Sequence, residues 1–192
     1  MAANFTPRAD FKNALTLDWC HDGATSVNTR KYPFWFEDPP GSGQAYFAYV
    51  IDLNDNTHSG YADRGASFVC GFLATEGVLI SKYQGHTNSV NIQFDPPISA
   101  IGACVGGDGA MDQRFFATLE IKLDNGTRVP LQTPTAALFT RTPGKAPFVG
   151  AKPLDPAAKI VEAWFDLKFA SNIVPTRARC DWIGIGPLLF IP

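Results

Sequence analysis

The chain is short of charge, of long apolar runs and of basic clusters, and each shortage excludes a class of protein. Charged residues make up 18% of its 192 residues, and the net charge at pH 7 is -2. Proteins that neutralise nucleic-acid phosphates need a concentrated positive surface, so nucleic acid is not an expected partner. No apolar run approaches the ~20 residues that a helix needs to cross a bilayer, so no membrane span is predicted.

Familiar catalytic and metal-binding motifs are also missing. There is no G-x-S-x-G, P-loop, dinucleotide fingerprint or H-E-x-x-H. The cysteines Cys20, Cys70, Cys104 and Cys180 are far apart and form no C-x-x-C pair, which excludes a zinc ribbon. Cys70 and Cys104 lie inside apolar segments, which favours buried free thiols. The even number leaves one or two disulfides open if the protein is exported.

The N-terminal segment MAANFTPRADFKNALTL has no apolar core and is not a signal peptide. Two interpretations stay open: a cytoplasmic protein, or a mature exported form whose leader has been removed. Residues 1–13 are polar, which predicts a loose arm or an edge strand. The length suits one domain with a sizeable core, and no linker or repeat divides the chain. We therefore expect a single domain over residues 1–192.

What the chain does contain is strand pattern, most clearly in residues 89–132. Between Phe115 and Leu123, apolar and mostly polar residues alternate strictly, as in a strand with one buried face. Asn125-Gly126 follows, and this dipeptide is a strong hairpin signal. Residues 89–94 also alternate, and Pro96-Pro97 is expected to end that strand. Residues 106–109, rich in glycine, are expected to form a loop.

Similar segments recur along the rest of the chain. Strands are predicted near residues 14–19, 44–53, 66–73, 78–83, 98–105, 148–152 and 182–191, and residues 54–65 are expected to be a polar loop. Residues 154–170 are ambiguous, because Asp155-Pro156 is a good helix start but the residues from Ile160 alternate. We favour a strand from Ile160. About ten strands at this spacing indicate an all-β, single antiparallel β-sandwich.

Several motifs are similar to jelly-roll domains of bacterial extracellular and surface proteins, of the galactose-binding-like plan. The motifs are Tyr61 with 65–68, NIQFDPPISAIG at 91–102, FATL at 116–119 with the turn at 124–126, PFVG at 147–150, and the segments 160–167 and 182–190. The resemblance implies a jelly-roll sandwich of two antiparallel sheets. It also implies carbohydrate or surface binding and, in some cases, a structural calcium ion.

Carbohydrate binding is our leading functional hypothesis, with two tryptophans as candidates. Trp164 is predicted on the polar side of its strand, and Trp35 lies in a proline-bounded aromatic patch. An exposed indole can stack on a sugar ring while polar neighbours such as Arg114 fix its orientation. The alternative is that both tryptophans pack under loops or against the second sheet. Asp108 and Asp112, in GGDGAMDQR, are candidate calcium ligands, and the favoured alternative is a solvated loop with a turn-making Asp-Gly.

Two other functions stay open. A sandwich-fold glycosidase or lyase would use two carboxylates on one sheet face, for which Glu120 with Glu162 or Asp166 is the candidate pair. A structural or assembly subunit would bury its aromatic patch against a protein partner or a second copy of the chain. The three histidines fall in predicted loops with no metal-site spacing. The sequence therefore favours a non-catalytic, lectin-like module.

Overall fold

The computed structural model describes residues 2–19, 30–37, 45–51, 61–64, 70–82, 89–170 and 180–192. These residues form β-strands and one short 3-10 turn, Arg8–Asp10, and no α-helix occurs among them. The strands are β1 Ala3–Phe5, β2 Leu15–Leu17, β3 Arg30–Glu37, β4 Ala45–Ile51, β5 Tyr61–Arg64, β6 Gly77–Lys82, β7 Val90–Ile98, β8 Ala100–Gly107, β9 Arg114–Leu123, β10 Arg128–Gln132, β11 Ala137–Leu138, β12 Phe148–Pro153, β13 Ile160–Phe169, β14 Trp182–Ile185 and β15 Leu188–Ile191. No helix in these ranges is long and apolar enough to cross a membrane.

The strands form two sheets that pack face to face. The eight-stranded sheet has the order β1-β12-β8-β14-β6-β5, and β15 joins β8 and β2. The seven-stranded sheet has the order β10-β9-β13-β7-β4-β3, and β11 joins β9. The chain changes sheet at each step from β6 through β9, as in jelly rolls. This confirms the predicted antiparallel sandwich, and several short edge strands raise the strand count above the ten expected.

The core lies between the sheets and follows the predicted alternation. Phe115, Ala117, Leu119 and Ile121 of β9 are buried, and the residues that alternate with them are only half-buried. They share one apolar cluster with Ile101 and Val105 of β8 in the other sheet. Each such side chain contributes about 1.5–3 kcal/mol when it is fully buried. The strict alternation of β9 is therefore the pattern of a central sandwich strand.

The Asn-Gly hairpin between β9 and β10 is confirmed. The Gly126 N–H donates to the Leu123 carbonyl at 2.9 Å, and the Thr127 N–H donates to Asn125 Oδ1 at 2.9 Å. Gly126 has φ +84°, a conformation that side chains disfavour and glycine adopts freely. The turn fixes the register in which Val129 pairs with Ile121. Hairpin geometry thus brings β10 beside the most strongly alternating strand.

The ambiguous segment after Leu154 is a turn followed by a strand. The carboxylate of Asp155 accepts the Ala157 N–H at 2.9 Å, and its carbonyl accepts the Ala158 N–H at 3.1 Å. This one turn does not continue as a helix, and β13 begins at Ile160 as predicted. Its pairing shifts register between Ile160 and Glu162, where one residue bulges.

Two sequence expectations about proline and glycine were wrong. Pro96 and Pro97 do not end β7, which continues to Ile98 through a cis Asp95-Pro96 peptide. Its pairing with β13 skips these positions, because proline has no N–H to donate. The backbone therefore stays extended where the hydrogen-bonded ladder is interrupted.

Gly106 and Gly107 belong to β8 rather than to a loop. A Cβ on Gly106 would overlap the Cys70 carbonyl, and one on Gly107 would lie 2.7 Å from Cys180 Sγ. Because glycine has no side chain, other segments of the protein can approach both faces of the sheet at these positions. The turn that covers Gly106 includes residues 70–73, the described part of a segment expected to be a strand.

The structure also defines three other segments that the sequence left open or assigned differently. Tyr61–Arg64 is a strand paired with β6, although the sequence predicted a polar loop there. The closing apolar run is divided into β14 and β15 by Gly186 and Pro187. Ala3–Phe5 forms the edge strand that was one of the two expectations for the N-terminal residues.

Candidate functional site

The side of the seven-stranded sheet that faces away from the core carries most of the candidate residues. We call this side the outer face. On β13, Glu162, Trp164 and Asp166 alternate with core residues, because successive side chains of a strand point to opposite faces. Trp164 pairs with Glu120 of β9 and with Asn91 of β7. Sequence alternation thus brings residues from distant segments onto one surface.

A cleft of about 670 Å³ opens on this face, and we call it the outer-face cleft. Its lining residues are Ser89, Thr118, Leu119, Glu120, Arg128, Pro130, Leu131, Gln132, Trp164, Asp166 and Lys168. They come from β10, β9, β13 and the residue before β7, which are neighbours in the sheet. The cleft therefore extends across the strands, and its volume lies in the range of small-molecule sites.

Trp164 lies in this cleft beneath an arginine. Only 7% of Trp164 is exposed. The guanidinium carbon of Arg128 lies 4.3 Å from the centroid of the indole, within cation–π distance. Arg128 Nη1 also donates to Glu120 Oε1 at 2.9 Å, while 58% of the Arg128 side chain remains exposed. The indole is thus almost fully covered, and part of its cover is a side chain that itself faces solvent.

A buried polar network lies beside Trp164. Glu162, which is 8% exposed, accepts hydrogen bonds from Asn91 Nδ2 at 2.8 Å and Gln93 Nε2 at 3.4 Å. Its second carboxylate oxygen accepts from Lys122 Nζ at 3.4 Å. Asn91 is 1% exposed, and its Oδ1 has no hydrogen-bond partner among the described residues. Sequence reasoning missed Asn91, because alternation places it on the polar face but does not show that it is covered.

The three candidate acids lie on the outer face together. Glu120 is opposite Trp164, so Glu162 and Asp166 are its diagonal neighbours, about 7–8 Å away across the strand pair. A glycosidase needs one of its carboxylic acids to donate a proton. Glu120 and Glu162 are each instead paired with a cation, Arg128 and Lys122 respectively. Each glutamate therefore already has a cationic partner within 3.4 Å.

Arg114 does not line the cleft, and Trp35 lies on another strand of the same sheet. Trp35 belongs to β3, the edge strand three positions from β13, and pairs with Phe47 of β4. The Trp35 side chain lies outside the described part of the chain. Arg114 begins β9, six residues before Glu120, which is about 20 Å along a strand. The two tryptophan positions therefore share one sheet but are three strands apart.

Asp108 and Asp112 have different surroundings. Asp108 Oδ1 accepts the backbone N–H groups of Asp181 at 2.8 Å and of Trp182 at 2.9 Å, so it anchors the start of β14. Asp112 is exposed. Across the described ranges, no three or more His, Cys, Asp and Glu residues gather in a way that could hold a metal ion. Calcium binding by this pair stays a prediction, and His21, His58 and His86 lie outside the described residues.

The three described cysteines, Cys70, Cys104 and Cys180, are free thiols. Burial raises the pKa of Cys70 to about 12, with a further increase from Asp108, and burial raises the pKa of Cys104 to about 11. Burial also raises the pKa of Cys180. A reactive nucleophile needs the opposite shift, because the thiolate is the attacking species. Cys20 lies outside the described residues.

Comparisons with known proteins identify no family. No family model matches the sequence, and no curated protein matches it. Among solved structures, the chain is similar to a DUF4465 family protein from Bacteroides caccae ATCC 43185, with 12% sequence identity and a TM-score of 0.37. The similarity covers 100% of each chain. At this level it carries no argument about function, so the functional conclusion depends on the site itself.

Proposed function

We propose that this protein is a non-catalytic carbohydrate-binding module whose ligand occupies the outer-face cleft. The observation that supports the proposal is the position of Trp164 within a 670 Å³ cleft lined mostly by hydrogen-bonding side chains. Sugars present apolar ring faces together with many hydroxyl groups. The indole can stack on an apolar ring face, and the surrounding polar side chains can form hydrogen bonds with the hydroxyl groups.

The polar groups of the cleft suit hydroxyl ligands. Asp166 brings a carboxylate, one oxygen of which accepts the Leu167 N–H at 2.7 Å. Gln132 brings an amide donor and acceptor, and Thr118 brings a hydroxyl that does both. Hydrogen bonds to a charged group are stronger than neutral ones, so Asp166 is expected to fix the orientation of the sugar. Thr118 and Gln132 add donors and acceptors farther along the cleft.

Stacking on Trp164 requires Arg128 to move. The guanidinium occupies a position above the indole that an incoming ring would take. Displacing it costs about 0.5–1 kcal/mol for an exposed cation–π contact and about 0–1 kcal/mol for the exposed ion pair with Glu120. The Arg128 side chain is already 58% exposed, so rotation into solvent meets little resistance. A sugar ring would therefore replace the Arg128 guanidinium as the group that stacks on the indole.

The other two functions have less support. A glycosidase is disfavoured because Glu120 and Glu162 are both held by cations rather than poised as an acid and a nucleophile. An assembly subunit would be supported by a large exposed apolar patch. Among the described residues, the large exposed apolar side chains are few, and they are Leu73, Met111, Leu138 and Leu154.

A glycan array, run with calcium and again with a chelator, tests the proposal. Selective binding supports it, and loss on chelation would implicate Asp108 and Asp112 as a metal site. Trp164→Ala should abolish that binding. Trp182→Ala, which removes an indole from the other sheet, is the matched control and should preserve it. Thermal unfolding of both variants establishes that they are folded, and a blank array in both conditions would refute the proposal.

A further inference from the structure

The outer-face cleft contains a regular row of hydrogen-bonding side chains that crosses the sheet. Gln132 of β10 pairs with Thr118 of β9, and Thr118 pairs with Asp166 of β13. Because Phe165 pairs with Val90, the next residue on the neighbouring strand is Ser89, which also lines the cleft. We call Gln132, Thr118, Asp166 and Ser89 the polar row. It spans three strand spacings, about 14 Å.

Trp164 lies beside the polar row, toward one end. It is two residues from Asp166 on β13, whereas Gln132 is two strands away, about 10 Å across the sheet. A single sugar ring stacked on Trp164 can reach Asp166 but not Gln132. Full use of the polar row therefore needs a ligand longer than one ring.

The charges that line the cleft balance. Arg128 and Lys168 are its two cations, and Glu120 and Asp166 are its two anions. Arg128 and Glu120 already form an ion pair. An acidic ligand gains no net attraction from such a surface, whereas an uncharged polar ligand meets both donors and acceptors. The cleft is complementary to a neutral chain of hydroxyl groups.

We propose that the outer-face cleft binds a linear, uncharged oligosaccharide that runs across the strands, with one ring on Trp164 and later rings along the polar row. This inference rests on the proposed carbohydrate-binding function and specifies its ligand class. The site recognises consecutive rings within a chain rather than a single terminal sugar. Trp164 supplies contact to one ring only, and Gln132 contacts a different ring.

Calorimetric titration with cello-, manno-, xylo- and malto-oligosaccharides, from the monosaccharide to the hexasaccharide, tests this inference. For one series, affinity should rise about tenfold from the monosaccharide to the trisaccharide, equivalent to 1.4 kcal/mol, and then level off. Gln132→Ala should remove most of the gain in affinity from the monosaccharide to the trisaccharide. Trp164→Ala should weaken binding at every length.

The outcomes separate this inference from the function on which it rests. Equal affinity at all lengths, or array hits confined to acidic glycans, would overturn the linear neutral ligand and leave carbohydrate binding intact. An array with no binding refutes both. Gln132 is exposed, so its replacement is not expected to unfold the protein.

Discussion

Replacing Glu162 with Leu should lower the free energy of unfolding by about 2–4 kcal/mol. The Glu162 side chain is 10% exposed and accepts a 2.8 Å hydrogen bond from Asn91. Without it, Asn91 keeps a buried amide whose Oδ1 already has no partner among the described residues, and its Nδ2 loses its carboxylate. The cost is that of an unsatisfied buried group added to a broken charged hydrogen bond.

The Asn91→Leu change should produce a comparable loss, because it removes the shortest hydrogen bond to a nearly buried carboxylate. In the double variant, with Leu in place of both Asn91 and Glu162, the loss in free energy of unfolding should be about 1–2 kcal/mol smaller than the sum of the two single losses. Replacing both partners with apolar groups leaves neither of them unsatisfied.

Urea unfolding followed by circular dichroism measures the free energy of unfolding of each variant. Thermal unfolding provides a second measurement, because a loss of 1 kcal/mol lowers the melting temperature of a chain of this size by about 2–4 °C. Glu120→Leu is the control, because its ion pair with Arg128 is exposed and worth less than about 1 kcal/mol. Additive losses in the double variant would show that Asn91 and Glu162 do not interact, and would refute the network.

Three further predictions concern the eight-stranded sheet and its surroundings. Gly106→Ala should destabilise the protein by about 1–3 kcal/mol, because the new Cβ overlaps the Cys70 carbonyl; an unchanged melting temperature would contradict this close packing. At pH 8, iodoacetamide should modify Cys104 about 100-fold more slowly in the folded than in the unfolded protein, as measured by peptide mass spectrometry. Its pKa is raised from 9.0 to about 11, so the folded state favours the thiol until the pH rises through that range. Asp108→Ala should lower stability by about 1–2 kcal/mol in urea unfolding, whereas Asp108→Asn, which retains an acceptor for the Trp182 N–H, should cost less.

The predictions for Cys104 and Asp108 each have an outcome that would contradict them. Equal modification rates in the folded and unfolded protein would show that the Cys104 thiol is not protected by burial. Equal losses from the two replacements of Asp108 would show that its charge, rather than its acceptor oxygen, anchors the start of β14.

The fold was predictable wherever local pattern and tertiary contact agree. Phe115–Leu123 alternates because one face lies against the second sheet, and Gly126 has a positive φ that few other residue types adopt. The glycines at 106 and 107 were misassigned because their role is set by distant neighbours, including Cys70 and Cys180. Glycine permits a loop and a close approach equally, and only the tertiary structure distinguishes them.

The candidate site was predictable in part for the same reason. Alternation placed Trp164 and Glu162 on the polar face, but their environments depend on register across three strands. Arg128 lies over Trp164 because the hairpin folds β10 back beside β9, a contact 36 residues distant in sequence. The charge and spacing of residues in the sequence do not predict that Arg128 covers Trp164.

The outer-face cleft exists only when the sandwich is assembled. Its walls come from β9 and β10 on one side and from β13, some thirty residues later, on the other. A ligand that bridges these strands binds the native state and not the unfolded chain, so it raises the melting temperature by mass action. At a concentration 100 times the dissociation constant, the gain is about 2.7 kcal/mol, or roughly 5–10 °C for a chain of this length. A melting-temperature screen thus detects a ligand of this cleft in solution, with neither the sugar nor the protein labelled or immobilised.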